Sequence, residues 1–177
     1  YSSLVARVIQ RGSRTFPTMK DISRALDENY SATLGVGSFK CGENEIFSLS
    51  LVNIKNRLAL HSEKVFERGV EILSDVFNNP LVENGEFKNE YFESERQNLI
   101  DSINAQINNK SSYSRIRFIA NMCRSEAYAT NGEGDVATAQ EAENKKAVCF
   151  FENVIKKAPC NIFYVGEKSP DEVQELL

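Results

Sequence analysis

The order of helical and strand-like patterns along this chain constrains its fold more than any single motif. Residues 2 to 12 and 18 to 28 carry apolar residues at helical spacing, and the second segment begins with Thr18, a residue that favours the start of a helix. The sequence therefore predicts two helices before any strand.

Two strand patterns follow these helices. The segment from Thr33 to Phe39 is strand-like, and Phe47, Leu49 and Leu51 then alternate with serines, which is typical of a half-buried strand. Cys41 to Asn44 contains a glycine at the expected reversal of the chain. We expect a β-hairpin here.

Helical periodicity then returns in four successive apolar faces and is followed by a short strand pattern. The residues that define the four faces are Val65, Phe66, Gly69, Val70, Leu73, Val76 and Phe77; Phe92, Leu99, Ile103 and Ile107; Tyr113, Ile116, Ala120 and Cys123; and Val148, Phe151, Val154 and Ile155. A polar loop from Thr130 to Asp135 separates the last two faces. Asn161 to Val165 is predicted as a closing strand, with a further helix from Ser169-Pro170.

This order of elements lacks the regular strand-helix-strand alternation of parallel α/β folds. It favours an α+β fold in which helices pack on one face of an antiparallel sheet. A length of 177 residues is typical of one domain, so we predict a single domain over residues 1–177.

Composition excludes several classes of protein. The net charge of -4 argues against a nucleic-acid-binding protein, which needs a concentrated positive surface. No apolar run approaches the ~20 residues of a membrane helix, and the first residues do not resemble a secretory leader. We therefore expect no membrane partner, no nucleic-acid partner and a cytoplasmic location.

The residues that bind catalytic metals are scarce. His61 is the single histidine of the chain, so no helix can present two imidazoles to a metal ion. The four cysteines lack C-x-x-C spacing and are expected to be reduced thiols that pack as small buried side chains. These are Cys41, Cys123, Cys149 and Cys160. The sequence predicts no metal and no cofactor.

The opening helix nevertheless has the frame of a known metal-binding segment. Ser3 to Gly12 reads Ser-Leu-Val-Ala-Arg-Val-Ile-Gln-Arg-Gly and runs into a turn that ends at Pro17. The segment resembles the zinc-binding helix of the insulinase/pitrilysin metallopeptidases, whose H-x-x-E-H motif is followed by a similar turn. The resemblance implies that Ser3, Ala6 and Arg7 occupy the positions of the first histidine, the glutamate base and the second histidine.

None of these three residues can do the family's chemistry. The two histidines hold Zn²⁺ at about 2.0–2.1 Å, and the glutamate deprotonates the metal-bound water. Serine is a poor zinc ligand, alanine cannot exchange a proton, and a protonated guanidinium has no lone pair and repels a cation.

The resemblance also extends to the third zinc ligand, a glutamate on a later helix. The matching run is Glu95 to Ile103, and it implies that Ser102 occupies the ligand position. The adjacent Asp101 is expected to point elsewhere, since one residue along a helix rotates the side chain by roughly 100°.

Further segments match the family in the same order, and together they cover nearly the whole chain. These are Asn79–Phe87 with Tyr91 and Glu95, Asn109–Tyr113, Met122–Tyr128, Gly134-Asp135 and Phe163–Gly166. The match is most similar to a non-catalytic bacterial branch in which a degenerate protein accompanies a sibling with an intact zinc helix. It implies that this chain belongs to the first half of a longer peptidase-like protein.

Other possible sites have simpler interpretations. His61 could be combined with serines in a triad, but the chain contains no G-x-S-x-G elbow, and a surface-loop histidine is favoured. Glu86, Glu90 and Glu93 could form a carboxylate site, although a solvated helix face explains them. Gly132 to Asp135 is most simply a turn.

We therefore predict a peptidase-like protein without catalytic residues of its own. Its expected role is that of a peptide-chamber wall, or of a partner for a zinc-bearing sibling or a second copy, with a peptide or unfolded segment as the bound species. The alternatives are a structural interaction module in a larger assembly and an accessory factor for protein modification related to elongation factor P.

Overall fold

A computed structural model describes residues 1–176 of the chain. Within these residues the helices and strands occur in the following order: α1 (Ser2–Ile9), α2 (Met19–Glu28), β1 (Thr33–Cys41), β2 (Asn44–Val52), α3 (Val65–Asn78), β3 (Val82–Glu83), β4 (Glu86–Phe87), α4 (Asn89–Ala105), α5 (Lys110–Met122), α6 (Val136–Gln140), α7 (Asn144–Lys157) and α8 (Pro170–Gln174).

The chain divides into two compact units. Among the described residues, the first unit contains residues 1–8, 37–48 and 82–152, and the second contains residues 9–36, 49–81 and 153–176. The expectation of a single domain over residues 1–177 stays a prediction.

The α+β class is confirmed, with helices and small antiparallel sheets. β1 and β2 pair with each other, and the two residues that connect them are short enough only for an antiparallel hairpin. Gly42 in this turn has a φ of +61°, a conformation that glycine adopts without steric cost. β3 and β4 form a second antiparallel pair, with Val82 opposite Phe87.

Helix α1 is buried on most sides but is shorter than predicted. It ends at Ile9 rather than near Gly12. The chain turns back after the helix, and a Cβ atom on Gly12 would lie 2.5 Å from the carbonyl oxygen of Pro17. Only glycine fits so close to another backbone segment, and this tight turn stops the helix. The buried apolar residues of α1 are Leu4, Val5, Ala6, Val8 and Ile9.

The turn after α1 is held by one buried hydroxyl group. Ser13 is fully buried; its Oγ donates a hydrogen bond to the carboxylate of Asp75 on α3 and accepts one from the backbone N–H of Phe16 at 3.0 Å. The Thr15 hydroxyl also donates to Asp75, at 2.9 Å. Because a buried polar atom without a partner is costly, these bonds fix the path of the turn.

Replacement of Ser13 by alanine tests this role. The substitution removes one donor to Asp75 and one acceptor for the Phe16 N–H, so we expect the free energy of unfolding to fall by about 1–3 kcal/mol. Urea unfolding followed by circular dichroism measures the change. Ser23→Ala on the exposed side of α2 is the control, and an equal effect in both variants would contradict the assignment.

The starts of α2 and α8 agree with the sequence because their signals are local. Thr18 accepts a hydrogen bond from the Asp21 N–H at 3.2 Å, and the Asp21 carboxylate accepts one from the Thr18 N–H at 3.1 Å. Ser169 and Glu172 form the same reciprocal arrangement at α8, where Pro170 occupies the first turn. Such capping boxes satisfy amide groups that have no partner within the helix.

The core of the first unit contains aromatic side chains. Phe151 lies between Phe47 and Phe87, with ring centroids 6.1 Å and 6.2 Å away. Phe92 and Leu99 of α4 are also buried, and α4 packs against α6. This packing fixes α4, which carries Ser102.

The core of the second unit forms between α2 and α3. Gly69 of α3 allows a close approach, since a Cβ at this position would lie 2.9 Å from the Leu51 side chain. The buried Asn29 amide donates to the carbonyl oxygen of Val65 at 3.0 Å. Both features are local to the contact between α2 and α3 and are typical of close packing.

The predicted closing strand is wrong. Asn161 to Val165 has no strand assignment, and the Phe163 and Val165 side chains are 92% and 100% exposed. Tyr164 instead packs on Phe66, with ring centroids 5.2 Å apart. A strand forms only where a neighbouring strand accepts its hydrogen bonds, and no such pairing is present for this segment within residues 1–176.

Two predicted helical faces are also only partly buried. Ile107 lies beyond the end of α4 in a short 3₁₀ turn and is 47% exposed. No residue of α5 itself is fully buried, whereas Cys123, which directly follows the helix, is buried. The apolar periodicity of this part of the chain therefore overstates its burial.

An ion pair joins α3 to the C-terminal segment of the second unit. Lys168 Nζ lies 2.9 Å from Glu67, and both side chains are mostly buried. The Asn56 amide also donates to Glu67, at 2.8 Å. Burial by itself raises the pKa of Glu67, but the hydrogen bonds from Lys168 and Asn56 outweigh it and lower the pKa from 4.5 to about 2.

This ion pair predicts an acid-sensitive component of stability. Because the pKa of Glu67 is lower in the folded state, its contribution is complete above about pH 4.5 and is lost as the pH falls towards about 2. After allowance for partial exposure, we expect a loss of roughly 1–3 kcal/mol. Glu67→Gln should remove this pH dependence in urea unfolding, whereas Glu71→Gln, on the exposed side of α3, should retain it. Equal pH profiles for the two variants would contradict the assignment.

Candidate functional site

Helix α1 presents Ser3 and Arg7 one turn apart, and both belong to the first unit. Ser3 is half-buried, and the side chain of Arg7 is 32% exposed. Ala6 between them is 2% exposed and contributes only a methyl group. The position where the resemblance implies a general base therefore lies in the core and carries no titratable group.

The structure brings Arg7 and Ser102 together, although 95 residues separate them. Arg7 Nη2 donates to the Ser102 hydroxyl of α4 at 3.4 Å, a long hydrogen bond. Asp101 points away, as predicted: its exposed carboxylate accepts a hydrogen bond from Gln97 at 2.9 Å.

Ser3 joins this group through the loop that precedes α6. Its hydroxyl donates to the carbonyl oxygen of Gly132 at 3.0 Å and lies 2.9 Å from the hydroxyl of Ser38 on β1. Gly132 is the neighbour of Glu133, which contacts Arg7. Ser3 and Ser102 thus each contact the loop before α6, and Arg7 contacts both this loop and Ser102.

Glu133 is the acidic residue that the sequence interpretation missed. Its Oε1 lies 3.6 Å from Arg7 Nη2, and Oε2 accepts a hydrogen bond from Gln106 at 2.7 Å. The Ser102 hydroxyl lies 3.4 Å from both carboxylate oxygens. Gly132 to Asp135 is a turn, but Glu133 also supplies the negative charge beside Arg7.

Local hydrogen bonds give this loop a defined shape. The Asn131 amide donates to the carbonyl oxygen of Gly134 at 3.1 Å, and Gly134 has a φ of +82°. Asp135 caps α6; hydrogen bonds from the backbone and hydroxyl of Thr138 lower the pKa of its carboxyl group. Glu133 is therefore presented by a loop that is held at both ends.

A lysine holds the segment before this loop. Lys40 Nζ donates to the carbonyl oxygens of Ala127, Tyr128 and Thr130 at 2.7, 2.9 and 2.8 Å. Hydrogen bonds from a charged donor are stronger than those between neutral groups. The hairpin residue Lys40 thereby fixes the approach to the loop that carries Glu133.

The donor set at this position does not fit a catalytic zinc ion. Two hydroxyl groups and a guanidinium face one carboxylate, whereas zinc requires nitrogen, sulfur or carboxylate ligands with free lone pairs. The positive charge of Arg7 repels a divalent cation, and Glu133 neutralises that charge. Within residues 1–176, no three or more His, Cys, Asp or Glu side chains are arranged to hold a metal ion.

The other candidate sites that the sequence offered, a triad at His61 and a carboxylate site, do not form clusters in the structure either. His61 is exposed in a short 3₁₀ turn and has a φ of +56°. Glu86 lies on β4 rather than on a helix with Glu90 and Glu93. The three carboxylates make separate salt bridges, to Lys145, Lys88 and Arg96 respectively.

The expectation that the cysteines are buried is wrong for three of them. Cys123 is buried, whereas Cys41, Cys149 and Cys160 are exposed, and none of the four forms a disulfide bond. Cys41 ends β1 beside the hairpin turn, Cys149 lies on an exposed side of α7, and Cys160 follows that helix. Spacing along the sequence did not reveal these surface positions.

The helices can also be compared with the expectation that the chain has no membrane partner. Within residues 1–176, no helix combines the length and apolar character needed to cross a bilayer.

Comparison with known proteins finds a relative that is named as a probable inactive metalloprotease. It is 23% identical over 175 residues to the "Probable inactive metalloprotease YmfF" of Bacillus subtilis (strain 168); the alignment covers 99% of this chain and 41% of that protein. The chain is thus similar to an inactive metalloprotease-like protein, at low identity, and spans about two fifths of its length. No family model matches the chain.

A solved structure shares the fold. The crystal structure of a conserved protein from Enterococcus faecalis V583 superposes with a TM-score of 0.79 at 22% identity; the match covers 86% of this chain and 36% of that one. At this identity the similarity establishes the fold alone.

A double-mutant cycle tests how strongly Arg7 and Glu133 interact. We expect the coupling between Arg7→Met and Glu133→Gln to be below about 1 kcal/mol, because both side chains are about one third exposed and their atoms lie 3.6 Å apart. The same cycle on the exposed pair Lys88 and Glu90 should give a value near zero. Denaturant unfolding supplies the four free energies of each cycle, and a coupling above about 2 kcal/mol would require a much tighter pair than the structure contains.

Proposed function

We propose that this chain is a catalytically silent member of the insulinase/pitrilysin-type metallopeptidases. The observation that carries the proposal is the contact of Arg7 with Ser102 and Glu133, because a fixed positive charge stands where the resemblance implies a zinc ion. The similarity to a probable inactive metalloprotease supports the same conclusion.

The local charge balance explains how such a site persists without a metal. In an active enzyme of this type, a divalent cation compensates the glutamate ligand and the developing charge of the substrate. In this chain one guanidinium compensates one carboxylate, and hydroxyl groups of Ser3 and Ser102 satisfy the remaining polar contacts. The arrangement is close to neutral and does not need an ion for its stability.

A silent protein of this kind would retain the shape of a peptidase without its catalytic residues. We propose that it forms one wall of a peptide-binding chamber, or that it pairs with a zinc-bearing sibling or a second copy, and that the bound species is a peptide or unfolded segment. In this proposal the hairpin of β1 and β2 belongs to a larger antiparallel sheet with helices on one face. The greater length of the relative, of which this chain spans 41%, is consistent with a larger assembly of elements.

The direct test is metal content and peptide cleavage. The chain is incubated with Zn²⁺, freed from excess by gel filtration, and assayed for bound zinc and for cleavage of an unstructured fluorogenic peptide. We expect neither stoichiometric zinc nor chelator-sensitive cleavage. About one zinc ion per chain together with chelator-sensitive cleavage would contradict the proposal.

Restoring the three ligands makes the test sharper. The triple variant Ser3→His, Arg7→His, Ser102→Glu should bind about one zinc ion per chain, because its donors come from the two helices that hold Arg7 and Ser102 in contact. Zinc competition with a chromogenic chelator gives the affinity.

A matched control moves only the third ligand. In Ser3→His, Arg7→His, Asp101→Glu the carboxylate stays on the exposed side of α4, where Asp101 contacts Gln97. We expect this variant to bind zinc at least about tenfold more weakly than the first. Equal affinities would mean that Ser102 does not occupy the third-ligand position.

A further inference from the structure

A different surface of the first unit carries charge that the rest of the chain does not neutralise. Between Asp101 and Glu126 the sequence contains no acidic residue, although the whole chain has a net charge of -4. The same stretch contains four cations: Lys110, Arg115, Arg117 and Arg124. Most of these residues belong to helix α5.

All four cations are exposed, and none has an acidic partner within residues 1–176. Elsewhere in the first unit five cations each make a salt bridge, namely Arg7, Lys88, Arg96, Lys145 and Lys146. Lys40 instead donates to backbone carbonyl oxygens. The positive charge of α5 is therefore directed to solvent rather than used inside the unit.

Helix α5 also exposes large apolar side chains beside these charges. Phe118 is 62% exposed and Met122 is 61% exposed. The two are four residues apart and so lie on one side of the helix, with Arg115 three residues before Phe118. Exposed apolar groups that are flanked by charge mark interaction surfaces more often than isolated apolar residues do.

The opposite side of α5 accounts for its attachment to the unit. Tyr113, Ile116, Ile119 and Ala120 are half-buried, and α5 packs on the short 3₁₀ turns Gln106–Asn108 and Ala127–Ala129. The outward side with Arg115, Phe118 and Met122 thus has no packing role within the unit. Arg117 lies about 100° further round the exposed half of the helix from Phe118, so Arg115 and Arg117 flank the two apolar side chains from opposite edges. We call these four residues the α5 surface.

We propose that the α5 surface binds an acidic segment of another polypeptide, one that also carries a large apolar side chain. Three of the four cations of the acid-free stretch are arginines, whose planar guanidinium groups bind carboxylates with two parallel hydrogen bonds. Phe118 and Met122 supply a flexible apolar contact of the kind that accommodates varied partner side chains. The partner is therefore complementary both in charge and in apolar character.

An anionic membrane fits this surface less well. Two exposed apolar side chains on a helix that is half-buried on its other side provide little area for insertion between lipids. The inference does not require the loss of metal ligands, since none of its residues belongs to the group around Arg7. Its outcome is thus independent of the zinc measurements.

The experiment selects peptides from a random dodecapeptide library displayed on phage, with the intact chain as target. We expect the selected peptides to be enriched in Asp and Glu and to contain at least one large apolar residue. The charge-reversed variant Arg115→Glu, Arg117→Glu should bind them about fivefold or more weakly, and Phe118→Ser should also weaken binding. Fluorescence anisotropy of labelled peptides gives the affinities.

Lys20→Glu, Arg24→Glu on α2 is the matched control, since it makes the same change of charge at exposed positions outside the surface. Circular dichroism confirms that each variant keeps its helices. Equal weakening by the control, selected peptides without acidic enrichment, or unchanged binding by the α5 variants would overturn the proposal. Two further results would also overturn it. One is binding to vesicles of phosphatidylcholine and phosphatidylserine without binding to the peptides, and the other is a dimer that only the Arg115→Glu, Arg117→Glu variant dissociates.

Discussion

The burial of α1 is the constraint on which the site depends. Leu4, Val5, Val8 and Ile9 lie within an arc of about 140° on one side of this short helix, and all are almost fully buried. A polar residue on such a helix must find its partners within the protein, because water reaches it only in part. Arg7 is that residue, and Ser102 and Glu133 are its partners. The loop before α6 supplies the carboxylate that faces this guanidinium.

The group around Arg7 is also matched in charge and hydrogen bonding without a metal ion. Two histidines and a glutamate at these half-buried positions would, without an ion, leave polar atoms with fewer partners within the protein. Serine at two positions and arginine at the third, opposite Glu133, form a set in which every member has a partner. Because Arg7 and Glu133 are each about one third exposed, the coupling between members is weak, and the set is matched in charge rather than rigid.

The sequence predicted those parts of the fold whose signals are local. Thr18 and Ser169 start their helices through bonds to residues three positions away, and Gly42 determines the turn between β1 and β2. Features that need a distant partner were missed. Gly12 ends α1 because Pro17 approaches it, and the strand predicted at Asn161 to Val165 lacks a neighbouring strand within the described residues. The resemblance supplied Ser3, Arg7 and Ser102, but Glu133 lies 126 residues from Arg7 and matches no motif, so only the folded chain revealed it.

The acid-free stretch connects the group around Arg7 to the outer surface of the first unit. It begins at Ser102, where the resemblance implies a glutamate ligand, and it continues through α5. A glutamate at 102 would place its charge beside Arg7 and Glu133, whereas a serine leaves one carboxylate for one guanidinium. Within residues 1–176 the cations of α5 make no ion pair with that carboxylate. The guanidinium of Arg7 is thus paired with Glu133, and the charge on α5 remains available to a partner from outside.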